Sequence, residues 1–186
     1  MPLDPPPPIE TARLLLRLVD ESDLPALMSV NGDDEVTRFL PYATWRTLDD
    51  ARAWLGRMRG FQDTGLSLQF VAADRRTGKA IGTLLIFRFE EANAQAELGF
   101  VLGRSYWGGG YMREALTALI GSAFATMGVR RLEAVADSRN AASVGLLRRL
   151  GFVREGVLRE RWLEDGVPCD AEVFGLLRRE WTAGPA

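Results

Sequence analysis

Three consecutive glycines, Gly108, Gly109 and Gly110, lie in YWGGGYMREAL, between a stretch of alternating polarity and a long amphipathic one. At a helix start the first backbone N–H groups lack intrahelical acceptors and the helix dipole is positive, so this turn suits an anion. Glycine lets the backbone approach phosphate oxygens without Cβ obstruction, and a pyrophosphate can accept several N–H bonds at once. The same residues also suit a plain strand-to-helix turn, and local composition does not separate the two readings. Two other phosphate loops are excluded by the letters. A Walker loop needs Lys then Ser or Thr after its last glycine, where this chain has Tyr111 and Met112. A dinucleotide fingerprint needs a third glycine where Arg113 stands.

The chain contains no histidine. Ser-His-Asp and Cys-His catalysis are therefore impossible, and proton movement falls to carboxylates, hydroxyls or tyrosines. Cys169 is the only cysteine, so neither an internal disulfide nor a Cys/His metal site can form, and no metal is expected. Without a histidine partner, Cys169 reads as a small unreactive residue. A net charge of -2 leaves no cationic field for a nucleic-acid backbone, and no apolar run reaches the roughly 20 residues of a bilayer span. MPLDPPPPIE has no signal-peptide pattern, and a reducing cytoplasm fits best.

The elements that position these residues follow from periodicity. Residues 1–10, with Pro5 to Pro8, read as a flexible or loosely docked leader, and residues 11–182 as a single domain. The stretch 13–19 (RLLLRLV) reads as a strand, followed by a short helix from Ser22 or Asp23 to about Val30. Thr47 is a good N-cap for a second helix, with Ala51, Trp54, Leu55 and Met58 at helical spacing. Strands at 68–73, 80–89 and 94–102 form an antiparallel meander; in the third, Glu97 projects from the face opposite Ala96, Leu98 and Phe100. A helix from Gly110 to Gly128 carries Met112, Leu116, Leu119, Ile120, Ala123 and Phe124 on one face. It crosses to a strand at 131–136, which can then run parallel to the strand of Glu97. Asn140 opens a short helix closing at Leu150 and Gly151, and two strands, 153–163 and 169–177, flank the turn EDGVP. The sum is an α/β fold with a mixed sheet of about seven strands and about four helices.

ETARLLLR, AELGFVLGRSYWGGGYMREAL, NAASVGLLRRLGFVREG and EVFGLLRREW, in this order, resemble the ribosomal-protein alanine N-acetyltransferase (Rim-type) branch of the GNAT superfamily. The resemblance spans nearly the whole chain. It implies a central sheet splayed in the middle, between the strand ending at Leu102 and the strand from Arg131, with acetyl-CoA in the gap. It also implies that backbone groups of Phe100, Val101 and Leu102 pair with the pantetheine amides. The turn Trp107, Gly108, Gly109, Gly110, Tyr111 and Met112 would wrap the pyrophosphate. The superfamily pattern Gln/Arg-x-x-Gly-x-Gly/Ala keeps its central glycine here but has Trp107 and Met112 at its ends, which removes a cation. Arg104 or Arg113 is a replacement candidate; each is equally readable as a solvated surface arginine.

Acetyl transfer to an amine needs a proton acceptor, support for the carbonyl oxygen and a proton donor for the thiolate. The resemblance makes Glu97 the candidate acceptor, through water; the alternative is an ordinary strand glutamate. The superfamily's thiolate-side tyrosine position is occupied by Leu147. Asn140 and Ser143 match an Asn-x-x-Ser pattern of the Rim-type branch, near the pantetheine arm and thiol, though Asn140 also suits a simple N-cap. The implied acceptor is a protein or peptide N-terminus. A small amine such as an aminoglycoside or polyamine, and a non-catalytic CoA-binding regulatory module, are alternatives. An acidic cleft would favour polycations, and Asp33, Asp34, Glu35, Asp49 and Asp50 are either its source or simply solvated. Trp45, Trp54 and Phe61 read as core before pocket, and a homodimer is left open.

Overall fold

A computed structural model describes residues 3–164 and 166–182. Among these, eight strands form one sheet and five α-helices pack on it. In chain order they are β1 (Ile9–Glu10), β2 (Leu14–Leu18), α1 (Leu24–Asn31), α2 (Asp34–Thr37), α3 (Leu48–Asp63), β3 (Leu68–Asp74), β4 (Ala80–Glu90) and β5 (Gln95–Leu102). After the glycine turn follow α4 (Tyr111–Thr126), β6 (Arg131–Asp137), α5 (Ala141–Arg149), β7 (Val153–Glu164) and β8 (Val167–Leu177). The two elements beyond the expected count, β1 and α2, span two and four residues, too short to leave a periodic pattern. Asp165 of the turn EDGVP lies outside the described residues. No helix among the described residues is long and apolar enough to cross a membrane.

The sheet order is β1-β2-β3-β4-β5-β6-β8-β7, antiparallel except for β5 and β6, which run parallel as the intervening helix requires. Apolar side chains on one face (Leu14, Leu16, Phe70, Leu84, Leu98, Leu132 and Phe174) form a core with α4 and α5. On the opposite face α1 and α3 bury a second cluster against Val71 and Ala80. Trp45 and Trp54 belong to that cluster, with ring centroids 5.3 Å apart, whereas Phe61 is exposed. Both tryptophans are core residues.

Helix α4 buries seven side chains, from Met112 to Phe124. Each large apolar one contributes about 1.5–3 kcal/mol on burial, so packing alone anchors the helix whose first turn follows Gly110. The leader is docked rather than loose from Leu3 onward. Leu3 is buried in the core and its amide donates to the Gly65 carbonyl at 2.8 Å, while Ile9 and Glu10 pair with Leu16 and Leu15. The prolines stiffen this connection, and the apolar residues at its two ends hold it. Met1 and Pro2 lie outside the described residues.

Candidate active site

The parallel pairing of β5 with β6 covers only Gln95–Arg131, Ala96–Leu132 and Glu97–Glu133. Pairing of β5 with β4, by contrast, continues to Gly82–Leu102. One edge of β5 is therefore open from Leu98 onward, the gap expected of a splayed sheet. The Gly103 amide donates to the Ile81 carbonyl at 2.9 Å, which sets the phase of the ladder. By strand alternation the backbone groups of Gly99 and Val101 point to β4, the Leu98 N–H closes the last rung to Glu133, and both groups of Phe100 point into the gap. Phe100 thus presents both N–H and C=O there. The Val101 groups are committed to β4, and the Leu102 carbonyl accepts a 2.8 Å bond from the Trp107 indole. Of the three residues expected to meet pantetheine through the backbone, Phe100 has the freest pair of groups.

At the head of the gap lies the glycine turn. Gly108 and Gly110 have φ of +71° and +76°, a left-handed conformation that side chains with a Cβ rarely adopt. A Cβ on Gly109 would sit 3.0 Å from the Tyr111 ring, so that position too is tight. The first helical bond of α4 runs from the Glu114 amide to the Gly110 carbonyl. The amides of Tyr111, Met112 and Arg113 therefore have no acceptor within the helix, and those of Gly108, Gly109 and Gly110 have no backbone acceptor among the described residues. A row of free N–H donors at the positive end of a 16-residue helix is what a pyrophosphate requires.

Of the two arginines considered at this end, Arg104 is engaged elsewhere and Arg113 is left unpaired among the described residues. Arg104 turns away and pairs with Asp33, the N-cap of α2, at 2.9 Å; Arg113 is exposed and has no ion pair among the described residues. The cation that does reach the turn is Arg13. Its Nη1 donates to the Gly109 carbonyl at 2.8 Å, its Nε donates to Glu114 at 2.6 Å, and it stacks over the Tyr111 ring at 4.0 Å. Burial pushes the Glu114 carboxyl up, but hydrogen bonds from Thr11 and from Arg13 outweigh it and hold the group below the usual carboxylate range.

Across the gap, Asn140 caps α5 by accepting a 3.1 Å bond from the Ser143 amide. The hydroxyl of Ser143 has no hydrogen-bond partner among the described residues, so capping uses the backbone of Ser143 and leaves its side chain available. Leu147 is fully packed in the core, and no tyrosine takes its place on α5. Tyr42 donates to the Asn31 side chain at 2.9 Å, and burial pushes its phenol well up, so it holds its proton.

The face of the sheet opposite α4 and α5 carries the carboxylates. Glu97 is mostly buried and paired with Arg88 at 2.7 Å; Arg88 sits at φ +51° in the β-bulge between Phe87 and Glu90. Glu133 shares Arg131 with Glu155, at 2.8 and 2.5 Å. Asp137, Glu164 and Cys169 converge within 4.8 Å of one another, and the Arg139 guanidinium bonds both carboxylates. The same guanidinium lies 5.7 Å from the Phe39 ring, so Arg139 ties β6, the terminal hairpin and the segment after α2 together. Hydrogen bonding from Arg139 holds the Asp137 carboxyl below the usual range against the opposing effect of burial. Sequence reasoning missed Arg13, Arg88 and Arg139. Only Arg139 carried a local signal, two residues beyond Asp137.

A parallel strand pair that parts after three residue pairs, with a donor-rich helix start at the mouth of the gap, is the arrangement this site presents. Residues 13–153 match the family model described as Acetyltransferase (GNAT) domain. The chain is 32% identical over 171 residues to an uncharacterized N-acetyltransferase, p20, of Bacillus licheniformis, covering 92% of this chain and 96% of that one. It is 30% identical over 185 residues to the [ribosomal protein uS5]-alanine N-acetyltransferase of Escherichia coli K12, covering 95% and 93%. Among solved structures, RimL, a ribosomal L7/L12 alpha-N-protein acetyltransferase in complex with coenzyme A, superposes with a TM-score of 0.83 at 22% identity, over 91% and 97% of the two chains. The protein belongs to the GNAT acetyltransferase family and is an N-acetyltransferase.

Proposed function

We propose that the protein transfers the acetyl group of acetyl-CoA to the α-amine of a protein or peptide N-terminus, by direct attack in a ternary complex. The observation that carries the choice of acceptor is that the carboxylates on this face of the sheet, Glu97, Glu133, Asp137 and Glu164, each pair with an arginine. A polycation needs uncompensated carboxylates, and this face offers few. The chemistry agrees. An α-amine titrates near about 8 and an alkylamine such as the lysine side chain near about 10.4, so at neutral pH the α-amine is neutral a few hundred times more often. A site with no histidine, whose nearest carboxylate is engaged by Arg88, suits the amine that needs least help.

Acetyl-CoA supplies a thioester whose carbonyl carbon takes the amine and whose sulfur leaves with the electron pair. The amides of residues 108–113 hold the pyrophosphate, with Trp107 packed beside the turn, and the gap-facing N–H and C=O of Phe100 align the pantetheine arm. Leu102 has its amide left for the same arm. Glu97 accepts the proton of the attacking amine through water. Ser143, aimed by the Asn140 cap, donates its hydroxyl to the departing sulfur in place of the missing tyrosine.

The test is thiol release from acetyl-CoA by purified protein, with peptides beginning in Ala or Ser, polyamines and aminoglycosides as acceptors, alongside calorimetric titration with coenzyme A. Turnover on peptides is the expected result. Turnover on spermidine or an aminoglycoside alone replaces the acceptor assignment. Binding without turnover on any of them makes the protein a CoA-binding module.

A further inference from the structure

We propose that Arg13 is a positioning residue for the diphosphate end of the acyl donor: it grips the glycine turn from behind and aims an amide of that turn at the phosphates. The proposal rests on the acetyl-CoA reading of the turn and adds to it a residue about a hundred positions away in the chain.

The geometry begins with the peptide between Gly109 and Gly110. In a trans planar peptide the C=O and N–H point in opposite directions. Arg13 Nη1 donates to the Gly109 oxygen at 2.8 Å, so the Gly110 N–H of the same peptide is turned to the other side. With Gly108 and Gly110 both at positive φ, this peptide is the one most free to flip, and a guanidinium on its oxygen selects one orientation.

The guanidinium is itself held. Its Nε donates to Glu114 Oε2 at 2.6 Å, the Arg13 amide to Glu114 Oε1 at 2.8 Å, and the Thr11 hydroxyl to the same Oε1 at 2.6 Å. Arg75 bonds the Thr11 carbonyl at 2.7 Å and tethers this corner to the turn after β3. Tyr111 lies under the guanidinium at 4.0 Å and meets Tyr106 edge-on at 5.4 Å. These rings close the space beside Gly109. The corner between β1 and β2, the glycine turn and the first turn of α4 are thus joined through one side chain.

Electrostatics gives the pair a second effect. Glu114 is a carboxylate in the first turn of α4, where it would repel the anion the helix start attracts. Arg13 cancels it. Because the guanidinium is engaged by Glu114 and Gly109 on the side away from the Gly110 amide, it shapes the site without needing to touch the phosphates.

The experiment compares two donors. Acetyl-CoA carries the diphosphate and acetyl-pantetheine lacks it. Arg13→Gln is expected to raise the KM for acetyl-CoA and the Kd for coenzyme A about tenfold, with kcat for acetyl-CoA within about twofold of the parent. The kcat/KM for acetyl-pantetheine should match the parent's. Arg13→Lys keeps the charge but cannot hold Glu114 and Gly109 together, and should fall between the two. Adding Glu114→Gln to Arg13→Gln should recover part of the lost affinity, because it removes the carboxylate left uncancelled, and the remaining loss measures the missing hold on Gly109.

Equal losses on both donors would overturn the proposal, as would a lower melting temperature with coenzyme A affinity unchanged. If Arg13→Gln does not fold, Arg13→Lys decides by the same two-donor comparison. A parent protein that does not bind coenzyme A overturns the acetyl-CoA reading and this proposal together; a parent that binds it, with variants that bind equally well, overturns this proposal alone.

Discussion

At the proposed donor end of the gap the groups on offer are backbone amides, fixed by two glycines at positive φ and one helix start. At the proposed acceptor end they are side chains, carboxylates locked to guanidiniums across strands and loops. A backbone site carries no net charge of its own and depends on chain conformation. A side-chain site is set by which charges remain uncompensated. The donor end is therefore sensitive to a single added Cβ, and the acceptor end to the removal of a single arginine.

The largest effect should follow from damage to the backbone end. Gly110→Val places a β-branched residue at a φ of +76°, and coenzyme A affinity should fall by roughly a hundredfold in a calorimetric titration while the melting temperature drops only modestly. Affinity within a few-fold of the parent would mean that the turn tolerates a relaxed geometry and that the contrast between the two ends is weaker than drawn. Next comes Glu97→Gln. Loss of a proton acceptor should lower kcat about a hundredfold with the KM for acetyl-CoA unchanged; parental kcat and pH profile would leave Glu97 a purely structural partner of Arg88.

Ser143→Ala should lower kcat about tenfold and leave the melting temperature in place, because the cap on α5 uses the Ser143 amide and not its hydroxyl. Equal turnover would remove Ser143 from the chemistry. The smallest effect concerns acid stability. The Asp137 carboxyl is held below its ordinary value, so its pairing stabilises the fold above the unfolded value of about 3.9. That contribution is lost as the pH falls through the depressed folded value. Melting temperatures of the parent and Arg139→Gln should differ at neutral pH and converge well below about pH 4; a constant difference would assign the effect to packing against Phe39 instead.

The same contrast explains what the sequence disclosed. The glycine turn at Gly108 to Gly110 and the Asn140 cap were legible because backbone geometry is written in local letters: glycine where φ is positive, Asn before a helix. The longer strands and helices were legible for the same reason. Arg13 with Glu114 and Arg88 with Glu97 were not, since they meet at separations of 101 and 9 residues through a corner and a bulge that no periodicity encodes. Arg104 looked suitable for the phosphates by proximity in the chain, yet Asp33 competes for it from α2, an element of only four residues. The docked leader was hidden likewise, because a single leucine, Leu3, just ahead of a polyproline run leaves no periodic pattern.

Three residue pairs join β5 to β6, fewer than at any other seam of the eight-stranded sheet except that of the two-residue edge strand β1. Under the proposed acetyl-CoA reading, a donor arm lying in the gap would supply hydrogen bonds where the ladder stops and act as a removable strand. Binding that favours only the folded state adds about 2.7 kcal/mol at a hundred times Kd. On that reading, the resistance of this protein to unfolding would be a gauge of how much acyl donor surrounds it.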